Sequence, residues 1–125
     1  MQITELKVPN YEGVATATED RYRGFVAIHS TKLGPAVGGT RFWKYESEEA
    51  AIEDLLRLAR GMTYKNALAG IPFGGGKSIV LRPDGEIDRE KIFRAHASSR
   101  KGSEGRLPAK RFVPRPQQRN ARAPV

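Results

Sequence analysis

The sequence predicts an α/β fold, a mixed β-sheet flanked by helices, carrying a disordered basic C-terminal tail. Three observations predict it. Short β-rich runs occupy the first third of the chain, one long segment from Ser47 has helical periodicity, and the apolar run Ile79-Val80-Leu81 follows a glycine-rich stretch. Strands, then a helix, then a strand bury their apolar faces most simply as a sheet with helices packed on it.

The β-rich runs are Val14 to Thr18, Gly24 to His29 and Ala36 to Trp43, separated by the turn-forming Glu19-Asp20-Arg21 and Leu33-Gly34-Pro35. Ser47 is a good helix N-cap, and Glu48 and Glu49 complement the dipole of the first turn. Ile52, Leu55, Leu56, Ala59 and Met62 then recur at steps of three and four, with Glu53, Asp54, Arg57 and Arg60 away from that stripe, so the helical carboxylates read as a solvated face. Gly61 does not have to end the helix, which can run on to Asn66 at a cost of about 1 kcal/mol. Arg82-Pro83-Asp84-Gly85 stops the last apolar run, and Ile87 to Phe93 starts a second helix with Asp88 as its cap.

The formal charge of +8 invites a nucleic-acid reading, but its distribution opposes one. Residues 1–93 hold 13 basic and 13 acidic side chains, whereas residues 94–125 hold 9 basic ones and Glu104 alone against them. The same 32 residues contain four of the eight prolines and few large apolar side chains, so a boundary near Arg94 is expected, with disorder beyond it. With Phe112 as its one aromatic residue, the tail lacks the interleaved rings that stack bases, and no specific nucleic-acid partner is expected. The absence of cysteine removes disulfides, thiolate metal sites and thiol nucleophiles. His29 and His96 have no partners at ligand spacing, so no metal site is expected. Without a leader-like start or a long apolar window, the chain reads as soluble and cytoplasmic, with no membrane partner.

Gly74-Gly75-Gly76-Lys77-Ser78 looks like a phosphate cradle until the spacing is checked. A P-loop requires glycine five places before Gly76, where Ile71 stands, and this run precedes a strand instead of opening a helix. No G-x-G-x-x-G fingerprint occurs, so no cofactor-binding residues are assigned. What remains is a lysine, Lys77, presented by glycines, with Lys65 twelve residues upstream at the edge of the apolar stripe near Met62. A lysine in a dry pocket near another cation has a depressed pKa and can act in proton transfer or polarise a carbonyl. The simpler alternative is that both lysines snorkel at the surface. Gly38-Gly39, inside a strand-like run, marks either a close approach of backbone or ligand, or a β-bulge.

Taken together, Ala27-Ile28-His29, Leu33-Gly34-Pro35-Ala36, Gly39-Thr40-Arg41, Ser47-Glu48-Glu49-Ala50-Ala51, Gly61-Met62-Thr63-Tyr64-Lys65-Asn66-Ala67 and Gly74-Gly75-Gly76-Lys77 resemble the amino-terminal domain of the glutamate/leucine/phenylalanine/valine dehydrogenases. The resemblance spans roughly residues 8–93, an incomplete substrate-binding and dimerisation domain, and leans to the leucine and valine branch. It implies an oxidoreductase that deaminates an aliphatic L-amino acid to a 2-oxo acid with NAD, in a homo-oligomer. It further implies that Lys65 binds the substrate carboxylate, that Lys77 is the catalytic lysine activating water, and that Gly38, Gly39, Val37 and Met62 line the side-chain pocket. Glutamate-type members usually carry lysine where Val37 stands, so an aliphatic or aromatic substrate is expected.

Ile79 and Pro83 depart from the residues usual after the catalytic lysine. The family's catalytic aspartate follows that lysine by a few dozen residues, yet no Asp occurs after Asp88, and no nicotinamide-binding domain is present. These departures lead us to expect a truncated or frame-shifted product, inactive alone, in which the family pattern stops after about Phe93.

Overall fold

The computed structural model describes residues 1–104 and 112–114. Seven strands form one sheet: β1 (Gln2–Leu6), β2 (Gly13–Glu19), β3 (Tyr22–Ser30), β4 (Ala36–Gly38), β5 (Thr40–Trp43), β6 (Gly74–Leu81) and β7 (Phe112–Pro114). Two helices, α1 (Glu48–Leu68) and α2 (Arg89–Glu104), complete the described fold. The sheet order is β1-β2-β3-β6-β4-β7, with β5 also paired to β6.

The first three strands and β6 are antiparallel neighbours, whereas β4 and β5 run parallel to β6. The parallel pairing follows from connectivity, because β5, α1 and β6 form a β-α-β crossover that returns the chain in the same direction. The expected mixed sheet with flanking helices is therefore the observed architecture.

Each face has its own core. Ala51, Leu55 and Ala59 of α1 pack on Val14, Phe25, Ala27 and Ile79. On the other face, Ile92 of α2 packs with Ala17, Tyr22, Phe42 and Val80. Alternation along β6 places Ile79 with α1 and Val80 with α2, which also sets the faces of Lys77 and Ser78.

Several elements differ from expectation. The run Ala36 to Trp43 is two strands separated at Gly39, and the irregularity in the neighbouring ladder lies between Ile28 and Ser30 instead. Strand β1 has mostly exposed residues, with Ile3 and Leu6 half-buried, too weak an alternation to announce a strand. Asp54 is not on a solvated face. Its side chain is 17% exposed, accepts a hydrogen bond from Tyr45, and pairs with Arg57 at 2.5 Å and Arg41 at 3.4 Å.

Helix α2 runs through Arg94 to Glu104, where the change in composition suggested a boundary. Its hold on the sheet explains the continuation, since His96 and Ser99 are buried and hydrogen-bonded. The disorder expected from Arg94 onward is thus corrected for residues 94–104, which are helical. For residues 105–111 and 115–125 that expectation lies outside the described residues.

Candidate functional site around Lys77 and the glycine strands

Helix α1 starts as its sequence dictates, with the Ser47 hydroxyl accepting from Ala50 N–H. It passes Gly61 without interruption and ends at Leu68. Its last turns rest on the start of β6. A side chain at Gly75 would collide with the backbone and hydroxyl of Thr63, and Asn66 Nδ2 donates to the Gly74 carbonyl at 2.8 Å. The glycines of β6 therefore admit a helix backbone close to the sheet. They cradle Thr63.

The same logic operates across the sheet. A Cβ on Gly38 would run into the Gly76 carbonyl, so that glycine marks a backbone approach within a regular parallel pairing. Gly39 differs, because its missing Cβ would lie 3.4 Å from Lys77 Nζ. The lysine head group thus rests against bare backbone. Val37, half-buried, pairs with Gly75 on the strand beside it.

Among the residues singled out from sequence, Lys77, Gly39, Gly38 and Val37 come together on the adjacent strands β4, β5 and β6 and their junction. Met62 is half-buried on α1 beside Thr63, while Lys65 is exposed in the last turn of that helix. Lysine at a helix C-terminus complements the negative end of the dipole, which gives Lys65 a structural contribution independent of any ligand.

Sequence reasoning did not single out the groups that hold this corner. Asn66, only 6% exposed, was visible as a polar residue inside a helical stripe, a signal for a buried hydrogen bond. His29 Nδ1 lies 2.8 Å from Thr63 Oγ1, and the ring meets Tyr11 edge-on at 4.9 Å. Burial, reinforced by the Arg60 charge, holds the His29 pKa below its ordinary value. Among the described residues no group of three or more His, Asp or Glu could hold a metal ion. No helix among them is long and apolar enough to cross a membrane.

A cleft of about 480 Å³ lies elsewhere, between the β2–β3 turn and the start of α2, lined by Asp20, Arg21, Glu86, Asp88, Lys91 and Ile92 among others. It mixes both charge signs and lacks the lysine and glycine arrangement.

The sequence profile of the Glu/Leu/Phe/Val dehydrogenase dimerisation domain matches residues 5–102. The chain belongs to this family. Among its relatives, leucine dehydrogenase of Bacillus subtilis (strain 168) is 56% identical over 84 residues, covering 67% of the chain and 23% of the relative. Valine dehydrogenase of Streptomyces virginiae is 50% identical over 80 residues, covering 62% and 22%. The crystal structure of L-tryptophan dehydrogenase from Nostoc punctiforme superposes with a TM-score of 0.71 at 38% identity, covering 84% of this chain and 30% of that one. The chain therefore spans about a quarter of the length of the curated relatives it matches. The family match also runs beyond Phe93, along most of α2.

Proposed function

We propose that this chain is the substrate-holding and dimerisation part of an NAD-dependent amino acid dehydrogenase, acting on the CH–NH2 group of an aliphatic L-amino acid such as leucine or valine. The observation that carries the proposal is Lys77 Nζ held against Gly39, with half-buried Val37 on the adjoining strand. In this reading the Lys65 ammonium binds the substrate α-carboxylate as a mobile point charge. Lys77 takes a proton from the water that attacks the imine carbon, and in the reverse direction its ammonium polarises the oxo group. Gly38, Gly39, Val37 and Met62 form the side-chain wall.

NAD supplies the hydride acceptor in such a reaction. The glycine-rich run does not fit it as a phosphate cradle, because that run lies inside β6, pressed by Thr63 and by the Ser30 carbonyl, with no helix N-terminus opening from it. The roles proposed for the chain's own residues are binding, orientation and proton transfer. A homo-oligomer in the cytoplasm is the setting that the family and the composition support.

Val37 sets the substrate class. A second carboxylate against this apolar wall would lose hydration without gaining a partner, a penalty of several kcal/mol. One methylene is worth only about 1–3 kcal/mol, so leucine, valine and isoleucine are accepted together. Calorimetric titration of the chain with 4-methyl-2-oxopentanoate and with 2-oxoglutarate tests this. Saturable binding of the first, abolished in Lys65→Met, with Val37→Lys recruiting the second, is the expected result. Preference of the unaltered chain for 2-oxoglutarate would refute the assignment. Mixed with leucine and NAD, the chain alone is expected to give no NADH absorbance.

A further inference from the structure

We propose that a chain of polar side chains, half-buried Thr40 and buried Ser78, His96 and Tyr22, positions Lys77 by locking β5 to β6 from the α2 face. It deepens the functional reading above by naming what holds that reading's central lysine in place.

The contacts are continuous. Thr40 Oγ1 lies 2.6 Å from Ser78 Oγ, Ser78 Oγ lies 3.1 Å from His96 Nε2, and His96 Nδ1 lies 2.7 Å from Tyr22 Oη. Tyr22 Oη is also 2.8 Å from Ser99 Oγ, whose hydroxyl donates to the His96 carbonyl at 2.8 Å. Ser78, Ser99, Tyr22 and His96 are 0%, 1%, 3% and 4% exposed. Burying four polar side chains costs more than filling the same space with Val and Phe, unless each finds its partner. Here each does. The network links β5, β6, α2 and β3.

Its position relative to the lysine is the decisive feature. Thr40 follows Gly39 and Ser78 follows Lys77, and successive residues of a strand face opposite sides. The Thr40–Ser78 contact therefore lies directly behind the Gly39–Lys77 contact, in the same register. Ser78 N–H also donates to the Gly39 carbonyl at 3.1 Å. Gly39 stands at the junction of β4 and β5, where a residue without a side chain has the most backbone freedom to lose. Clamping its successor to Ser78 removes that freedom. The surface facing Lys77 becomes fixed.

Lysine-specific 13C labelling at Cε, with amine acylation rates read by mass spectrometry, tests the positioning without any ligand. Thr40→Val and Ser78→Ala are expected to shift the Lys77 Cε signal and change its acylation rate about threefold or more, the effect of half a pKa unit. Lys65 is expected to stay as it was. His96→Leu should act like Ser78→Ala, whereas His96→Gln, which keeps an amide within reach of Ser78, should restore the Lys77 signal. Ser47→Ala, a remote loss of stability, should leave Lys77 unmoved. Unchanged Lys77 signals and rates in folded Thr40→Val protein would overturn the proposal, as would equal changes at Lys65. Should Ser78→Ala fail to fold, the nearly isosteric Thr40→Val decides. Failure of the unaltered chain to bind a 2-oxo acid would refute the functional reading alone, because Lys77 is read here in the free protein.

Discussion

Glycine does opposite things at two places only fourteen residues apart. At Gly75 any side chain strikes the Thr63 backbone, while at Gly61, inside α1, nothing lies within 4 Å of a would-be Cβ. Gly75→Ala should therefore destabilise the fold by about 1–3 kcal/mol through overpacking. Gly61→Ala should stabilise it by about 0.5–1 kcal/mol by relieving a helix of glycine. Urea unfolding of both variants checks the opposite signs. His96 gives a second residue-scale prediction. Burial, with the Arg100 charge adding to it, lowers its pKa from 6.5 to about 3, and burial raises that of its partner Tyr22 to about 12. The unfolded chain then takes up a proton near pH 6.5 that the folded chain refuses. Stability is full above that pH and falls on acidification toward pH 3, by up to about 1.4 kcal/mol per pH unit. His29, also lowered, contributes with the same sign. Denaturation midpoints between pH 7 and 5 should fall in the unaltered chain and much less in His96→Gln; identical slopes would refute the assignment.

At the scale of elements, what could be read in advance was what local chemistry determines. Helix α1 was legible because a cap, an acidic first turn and a 3.6-residue stripe agree, and Ser47→Ala should cost it about 1 kcal/mol, measurable as a lower melting temperature. Strand β1 was not legible, since a strand paired, among the described residues, to β2 alone buries too little to impose alternation. The continuation of α2 past Arg94 was hidden because its anchors are polar. His96 and Ser99 carry no apolar signal, and their burial depends on Tyr22 and Ser78, far away in sequence. Asp54 was misjudged for a related reason, as helical periodicity places it off the main stripe but cannot foresee Tyr45 and Arg41. The candidate site divides in the same way. Lys77 and its glycines stood out by type and spacing, while Thr63 and the Thr40–Ser78 clamp emerge only when strands and helix are assembled.

Over the whole molecule, the three-layer arrangement gives the two sheet faces different duties. The α1 face carries Lys77 and the bare glycine surface, and the α2 face carries the buried polar network behind them. The chain spans about a quarter of the length of its curated relatives, and substrate holding is the share of dehydrogenase chemistry that we propose for its own residues. That claim is tested most directly by NMR titration of the lysine-labelled chain with 4-methyl-2-oxopentanoate at neutral pH. The account predicts saturable shifts of both the Lys65 and Lys77 signals, absent with 2-oxoglutarate. Saturable binding that moves neither lysine, or no binding at all, would contradict it.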